Sequence, residues 1–226
     1  MESTNWKTLV DNLIKQGKLR SSNVIQAMQS VSRTKFLPPN VKLYASSDMP
    51  LQIGYGQTIC APSMVGIINE ALQPQVGNKI LEVGAGSGWH AATLAEIVAP
   101  NKVPRSEWGH VYTIEVVQAL ADTARKNIIN AGFGDRVTII TGDGSKGCTE
   151  KAPFDRIVVA AACPNVPKLL VDQLKDCGIL LVPIESGNVM FQKLKKVTKS
   201  AEGKVKEENL GGVTFLPLAG EHGLSK

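Results

Sequence analysis

The sequence predicts an α/β fold built on a doubly wound, mostly parallel sheet, with helices before it and an antiparallel strand pair after it. Three observations carry this prediction. From residue 79 onward, short apolar runs alternate with helical segments. These runs are rich in β-branched residues and lack an alternation of apolar and polar positions, as strands buried on both faces do. The first run leads into a glycine-rich turn that opens a helix, LEVGAGSGWHAATLAEIV, at the kind of place where an open α/β sheet receives a ligand.

Taken in order, the first fifty residues read as helices. In NWKTLVDNLIKQ, Trp6, Leu9, Val10, Leu13 and Ile14 fall on one stripe, and SSNVIQAMQSV opens on a serine cap and continues through Val24, Met28 and Val31. FLPPN stops that run, because proline restricts its predecessor and has no backbone N–H. A loop follows, and it contains GYGQTICAPSM (54–64), which reads as neither helix nor strand. The expected strands are KILEV (79–83), HVYTI (110–114), RVTII (136–140), RIVVAA (156–161) and GILLVPI (178–184). Between them HAATLAEIV, VQALADTARKNIINAG and VPKLLVDQLKD have helical periodicity, the second closed by Gly132. PNKVPRSEWG reads as a surface insertion. NVMFQKLKKV and residues 204–218 read as an antiparallel pair joined by TKSAEGK. The expected organisation is a single domain over 1–226, with a helical part and loop (1–78), a ligand-binding core (79–184) and a C-terminal hairpin (185–226).

Composition narrows the class. Hydrophobic residues make up 43% and charged residues 20% of the chain, ordinary for a soluble globular protein. No apolar run approaches a membrane span, and MESTNWKTLVDN lacks the order of a signal peptide, so a cytoplasmic protein without membrane attachment is expected. Cys60, Cys148, Cys163 and Cys177 form no C-x-x-C pair and read as free thiols; His90, His110 and His222 are scattered, so no metal site is predicted. Much of the net charge of +5 lies in KLKKVTKSAEGKVK (193–206), which lacks aromatic residues to stack on bases. It reads as the solvated face of a hairpin and not as a nucleic-acid surface. No long apolar stripe is left over, and a monomer is expected.

The glycine turn carries the first chemistry. Gly84, Gly86 and Gly88 let the backbone turn sharply and approach a ligand. A dinucleotide turn would read G-x-G-x-x-G/A with a small sixth residue, whereas here the glycines run G-x-G-x-G and the sixth position is Trp89. That spacing suits S-adenosylmethionine better. Acidic residues stand at three successive strand ends: Glu82, near where the methionine portion would run; Glu115, placed to accept ribose hydroxyls; and Asp143 in TGDGSKG, within reach of an adenine amino group. Any one of them could be a helix cap or a surface charge, but three in succession favour a cofactor. As for the methyl acceptor, the loop AAACPNVP offers no Asn/Asp/Ser-Pro-Pro-aromatic motif for base amines. Cys163 precedes its proline instead of following it, so it reads as a small buried residue.

From about residue 5 to 220 the chain resembles the protein-L-isoaspartate O-methyltransferase family. The resemblance rests on PLQIGYGQTICAPSMV, LEVGAGSGWHAA, VYTIE, GDGSKG, APFDRIVVAAACPNVPKLLVDQLKDCGILLVPI and GGVTFLPL. It implies a Rossmann-like, S-adenosylmethionine-dependent methyltransferase that esterifies the free carboxylate of isoaspartyl residues in damaged proteins and peptides, leaving S-adenosylhomocysteine. The ester re-forms a succinimide that reopens partly to normal aspartate. The resemblance also implies roles. Glu82, Gly84, Gly86 and Gly88 would line the methionine side, Glu115 the ribose, and Asp143 with Gly144 the adenine. The segment 57–64 would cover the donor and hold the acceptor, with Thr58, Cys60 and Ser63 at the catalytic positions and Gln57 and Ile59 against the substrate; Val213 and Leu216 would add an acceptor wall.

The family block commonly reads T-I-S-A-P-H-M, and here Cys60 replaces the serine and Ser63 the histidine. A carboxylate with a pKa of about 4 is already ionised at neutral pH, so no general base is required. What the protein supplies is alignment and exclusion of water. A thiol is a weaker and longer donor than a hydroxyl, so turnover is expected to be reduced and not abolished. Cys60 could equally be a packing residue; as a nucleophile it would need an activating histidine, and none lies near it in sequence. The two departures leave room for a different carboxylate acceptor, or for a cofactor-binding module without turnover. An enzyme acting on many protein contexts should present a shallow cleft to an extended peptide.

Overall fold

The amphipathic spacing at the N-terminus produces two helices, α1 (Glu2–Lys15) and α2 (Ser22–Ser30), in the computed structural model, which describes residues 2–188 and 191–224. Their stripes bury Trp6, Val10, Leu13, Val24 and Met28. Ser21 stands at the cap position of α2, yet its hydroxyl caps nothing. It donates to Glu70 Oε2, while Glu70 Oε1 accepts the backbone N–H groups of Arg20 and Ser21. The carboxylate outcompetes the helix end because charge-assisted bonds are the stronger ones. The helix also ends at Ser30, before the proline run, and the chain continues as 3-10 turns at Arg33–Phe36 and Pro39–Tyr44.

The stretch 54–64 is more regular than its sequence suggests. Strands β1 (Leu51–Gly54) and β2 (Gln57–Ile59) pair antiparallel around Gly54, Tyr55 and Gly56, all at positive φ. Pro62 then opens α3 (Pro62–Leu72), a helix the sequence reading leaves out; in the first turn its missing N–H costs nothing. Three residues are too few for β2 to display an alternating pattern.

The rest alternates as predicted: β3 (Lys79–Val83), α4 (Trp89–Val98), β4 (His110–Glu115), α5 (Gln118–Ala131), β5 (Val137–Thr141), β6 (Phe154–Val159), α6 (Lys168–Asp172), β7 (Leu174–Asn188), β8 (Phe191–Lys199) and β9 (Val205–Val213). The sheet order is β5-β4-β3-β6-β7-β8-β9, parallel as far as β7 and antiparallel beyond it. The chain winds outward from β3 in one direction and from β6 in the other, so a crevice opens at the carboxyl ends of these two neighbours. Gly132, at φ 88°, closes α5.

Two details differ from expectation. The helix expected over 166–176 is five residues long, because the Gln173 side chain bonds Cys148 N and Lys146 O while Phe154 N takes its carbonyl, and the strand starts at once. The last strand ends at Val213; residues 216 and 218 bond instead to Ala162, through Ala162 N to Leu216 O and Leu218 N to Ala162 O, each 2.8 Å. Val189 and Met190 of the expected strand lie outside the described residues. Strand β9 forms an edge exposed from Val205 through Gly212, carrying Lys206, Glu207 and Glu208, with a register irregularity near Gly211 at φ 118°. The insertion at 100–109 folds over Trp108, whose ring lies 5.0 Å from the Arg105 guanidinium and 5.3 Å from that of Arg136. Among the described residues, no helix is long and apolar enough to cross a membrane, and no group of three His, Cys, Asp or Glu could hold a metal ion.

Two tryptophans fasten the N-terminal helices to this core. Trp6 Nε1 donates to Met28 O and Trp89 Nε1 to Val31 O, both at 2.8 Å, and the rings meet edge-on with centroids 5.9 Å apart. Each buried indole thereby finds a partner for its one polar atom. Trp89, the large sixth residue of the glycine turn, is the core's side of that joint.

Candidate active site

A cavity of about 330 Å³ opens in the crevice. One side is made by strand ends. Glu82, at the end of β3, is fully buried; its Oε2 accepts from Thr113 Oγ1 at 2.6 Å. Its Oε1 lies 2.9 Å from His90 Nδ1, a charge contact if the ring is protonated, and has no other polar partner among the described residues. Glu115, ending β4, accepts from Gly86 N at 2.9 Å and from Val117 N at 3.0 Å, so it ties the glycine turn to the neighbouring strand. Gly88 caps α4 at φ 86°, and a Cβ there would lie 3.1 Å from Ile128 Cγ1, so only glycine lets α4 and α5 sit this close.

The other side is made by loops. Pro50, Gln57, Thr58, Ile59, Cys60 and Ala61 form one wall, and Thr214, Phe215 and Leu216 another. The second wall is held by Gln192 of β8, whose buried amide donates to Phe215 O at 2.9 Å and accepts from Phe215 N at 2.7 Å. The first is gathered around Arg33, a fully buried side chain whose guanidinium donates to the carbonyls of Tyr44, Ala45, Ser47, Met49 and Cys60. Burial pushes that guanidinium down to about 10, with Asp48 and Cys60 acting in the opposite direction, so it stays charged at neutral pH. Asp48 itself accepts from Ser63 N at 2.8 Å, joining the loop to the first turn of α3.

Of the residues singled out from the sequence, Gln57, Thr58, Ile59, Cys60, Glu82, Gly84, Gly86, Glu115 and Leu216 line this one cavity. Gly88, Ser63 and Val213 are not among the lining residues, though each is next in sequence to one. Asp143 and Gly144 lie away from the lining, and the Asp143 carboxylate is engaged by the chain's own tail. Oδ1 accepts from Ser145 N and Oγ, Oδ2 accepts from Glu221 N at 2.9 Å, and Lys146 Nζ pairs with Glu221 Oε2 at 2.6 Å. Burial by itself would raise Asp143, but the bonds from Glu221 and Ser145 hold it below the usual carboxylate range.

Two cysteines are settled by their surroundings. Burial, reinforced by the Glu82 charge and opposed by Arg33, pushes the Cys60 thiol up to about 11, so at neutral pH it is a neutral thiol and no thiolate nucleophile. Cys163 is buried beyond β6, with its thiol pushed up to about 12 by burial, as a packing residue would be.

Arg33, His90, Thr113 and Gln192 escaped the sequence reading. For Gln192 a signal exists, since it shares the buried face of β8 with Leu194. For Arg33 in SRTKF there is none, because its acceptors are backbone atoms.

Comparison with known proteins agrees with this geometry. The model of the family described as protein-L-isoaspartate(D-aspartate) O-methyltransferase (PCMT) matches residues 4–223. The chain is 49% identical over 217 residues to the protein-L-isoaspartate O-methyltransferase of Hyperthermus butylicus, covering 96% of this chain and 89% of that one. With the enzyme of the same name from Thermococcus onnurineus it shares 46% over 218 residues, covering 96% and 94%. Among solved structures it is similar to a Plasmodium falciparum protein described as a protein-L-isoaspartate O-methyltransferase in complex with S-adenosyl-L-homocysteine. That match has a TM-score of 0.82 at 27% identity and covers 95% of this chain and 98% of the other. With a whole-chain match and a cavity that joins the glycine turn to the 57–61 segment, this protein belongs to the protein-L-isoaspartate (D-aspartate) O-methyltransferase family.

Proposed function

We propose that this chain, acting as one domain and as a cytoplasmic monomer, transfers a methyl group from S-adenosylmethionine to the free carboxylate of L-isoaspartyl residues in damaged proteins and peptides. One observation carries the reading: a single cavity is bordered both by the acids and glycines of the donor side and by the 57–61 and 214–216 walls. Donor and acceptor can therefore meet there.

The residues present fit the cofactor. The buried Glu82 carboxylate, with Oε1 beside His90 Nδ1, borders the cavity as an acceptor that suits a ligand ammonium group, and the carboxylate of Glu115 borders the same space with lone pairs left for ribose hydroxyls. When bound, the cofactor supplies a methyl group on a sulfonium, a leaving group that needs no acid. The chain's own task is positioning. Thr58 and Cys60 offer a hydroxyl and a neutral thiol to orient the isoaspartyl carboxylate, which is ionised at neutral pH and needs no base. Ile59, Met64, Phe215 and Leu216 line the cavity with apolar surface that keeps water from the reacting oxygen. Once esterified, the acceptor closes to a succinimide when the neighbouring backbone nitrogen attacks and methanol leaves, a step that makes no demand on the enzyme.

The test is labelled methyl transfer from S-adenosylmethionine to matched peptides that carry isoaspartate or aspartate at one position. Base-labile label on the isoaspartyl peptide alone is expected. Equal labelling of both peptides, or donor binding without label on either, would sink the reading.

A further inference from the structure

Resting on that functional reading, we propose that Arg33 is a positioning residue for the methyl acceptor, holding the 50 and 57–61 wall of the cavity while leaving the donor side untouched. The guanidinium has five N–H groups and uses all of them on backbone carbonyls. Nε donates to Ala45 at 2.7 Å, one terminal nitrogen to Met49 at 2.9 Å and Cys60 at 3.1 Å, and the other to Tyr44 at 3.1 Å and to Ser47. Two of these carbonyls touch the wall directly. Met49 immediately precedes Pro50, and Cys60 is itself a lining residue.

Besides Arg33, the segment is held by the Asp48 bond to Ser63 N and by the buried side chains of Ala45, Leu51 and Ile59. Between residues 44 and 60 the regular structure is one short ribbon, β1 with β2, whose pairing of Leu51 with Ile59 brings its ends together, and the guanidinium binds a carbonyl at each end, Met49 and Cys60. Arg33 is anchored in turn. It opens the 3-10 turn Arg33–Phe36, whose Phe36 is buried, and two residues before it Val31 O receives the Trp89 indole N–H. The donor side has its own fastenings, Gly86 N to Glu115, and Gly84 N and Ala85 N to Ile114 O, none of which involves Arg33.

Chemistry makes the role specific to arginine. A lysine would keep the charge but offer three donors in a tetrahedral array, so at least two of the five bonds would be lost; Tyr44 O and Ser47 O would keep their backbone donors, Ser47 N and Met49 N, but the planar fork that joins Met49 O to Cys60 O could not be reproduced. A buried carbonyl without a donor is costly, so the segment would shift to find water.

The experiment compares the full-length protein with Arg33→Lys, reading the Kd for S-adenosylhomocysteine by calorimetry, kcat and KM for an isoaspartyl peptide, and backbone amide exchange. For Arg33→Lys, Kd should stay within about threefold while kcat/KM falls about 100-fold, with kcat sharing in the loss, as misaligned reactants require. Exchange should quicken over 44–61 and remain slow in β3, β4 and β6. Equal losses in Kd and kcat/KM would mark a general structural role and overturn the proposal, as would an unchanged kcat/KM. Should the variant fail to fold, exchange in the unmodified protein decides. Residues 44–49 and 57–61 opening as one unit supports a shared tether, and independent opening overturns it. If the unmodified protein methylates no isoaspartyl peptide, the functional reading falls by itself, and the exchange result still decides whether Arg33 is the tether.

Discussion

The two halves of the cavity are built in opposite ways. On the donor side, side chains at the ends of β3 and β4 face the site and are tied to the backbone beside them, Glu115 to Gly86 and Val117, Glu82 to Thr113. On the acceptor side the roles reverse. Backbone is the material, and distant side chains, Arg33 and Gln192, collect it from outside the cavity. A wall made by a sheet inherits the sheet's stability, whereas a wall made by loops depends on the few polar groups that gather it.

Three substitutions sharpen or break this contrast. The largest effect is expected for Glu115→Ala, which removes two charge-assisted bonds, one from Gly86 N in the glycine turn and one from Val117 N, along with the proposed ribose acceptor. Affinity for S-adenosylhomocysteine should fall about 100-fold by calorimetry, with exchange over 44–61 unchanged. Faster exchange in that segment would show that the halves are not independent. Next comes Gln192→Ala, which strips both bonds from Phe215. Peptide KM should rise about tenfold with cofactor affinity intact, and stability should drop by about 1–3 kcal/mol in a denaturant titration. A loss of cofactor affinity of similar size would place the 214–216 wall on the donor side instead.

The smallest effect is expected for Cys60→Ser, where a better donor should raise kcat/KM about two- to fivefold; an unchanged or lower value would mean that Cys60 is a packing residue. The thiol offers an independent check. Because burial raises the Cys60 pKa to about 11, the nucleophilic thiolate is scarce below that value and increases as pH rises toward it. Iodoacetamide at pH 8 should therefore modify exposed Cys177 and spare Cys60, as peptide mapping would reveal. Prompt labelling of Cys60 would mean that its environment is wetter or more cationic than a buried site beside Glu82.

The same contrast explains what could be read from the chain alone. The strands from 79 to 184 announced themselves because burial on both faces selects unbroken β-branched runs, and Glu82 and Glu115 followed, since a strand end and a glycine turn are local features. Asp143 was recognisable as a strand-end acid, but the tail that engages it is 78 residues away, beyond the reach of spacing. Helix α3 was hidden by the proline that begins it, and α6 was overextended because Gln173 looks like any polar helix position until Cys148 and Lys146 are placed beside it. Arg33 was invisible for a deeper reason. Carbonyl acceptors are supplied by every residue, so no pattern of side chains could point to it.

The exposed edge at β9 bears on the company this protein keeps. An enzyme that mends damaged chains works among partly unfolded segments whose backbones are looking for a strand to join, and an open edge is an invitation to them. Lys206, Glu207 and Glu208, with the irregular register near Gly211, make that edge charged and uneven. Such an edge resists the addition of a further strand, so the sheet that carries the cavity is protected from growing by pairing with another chain.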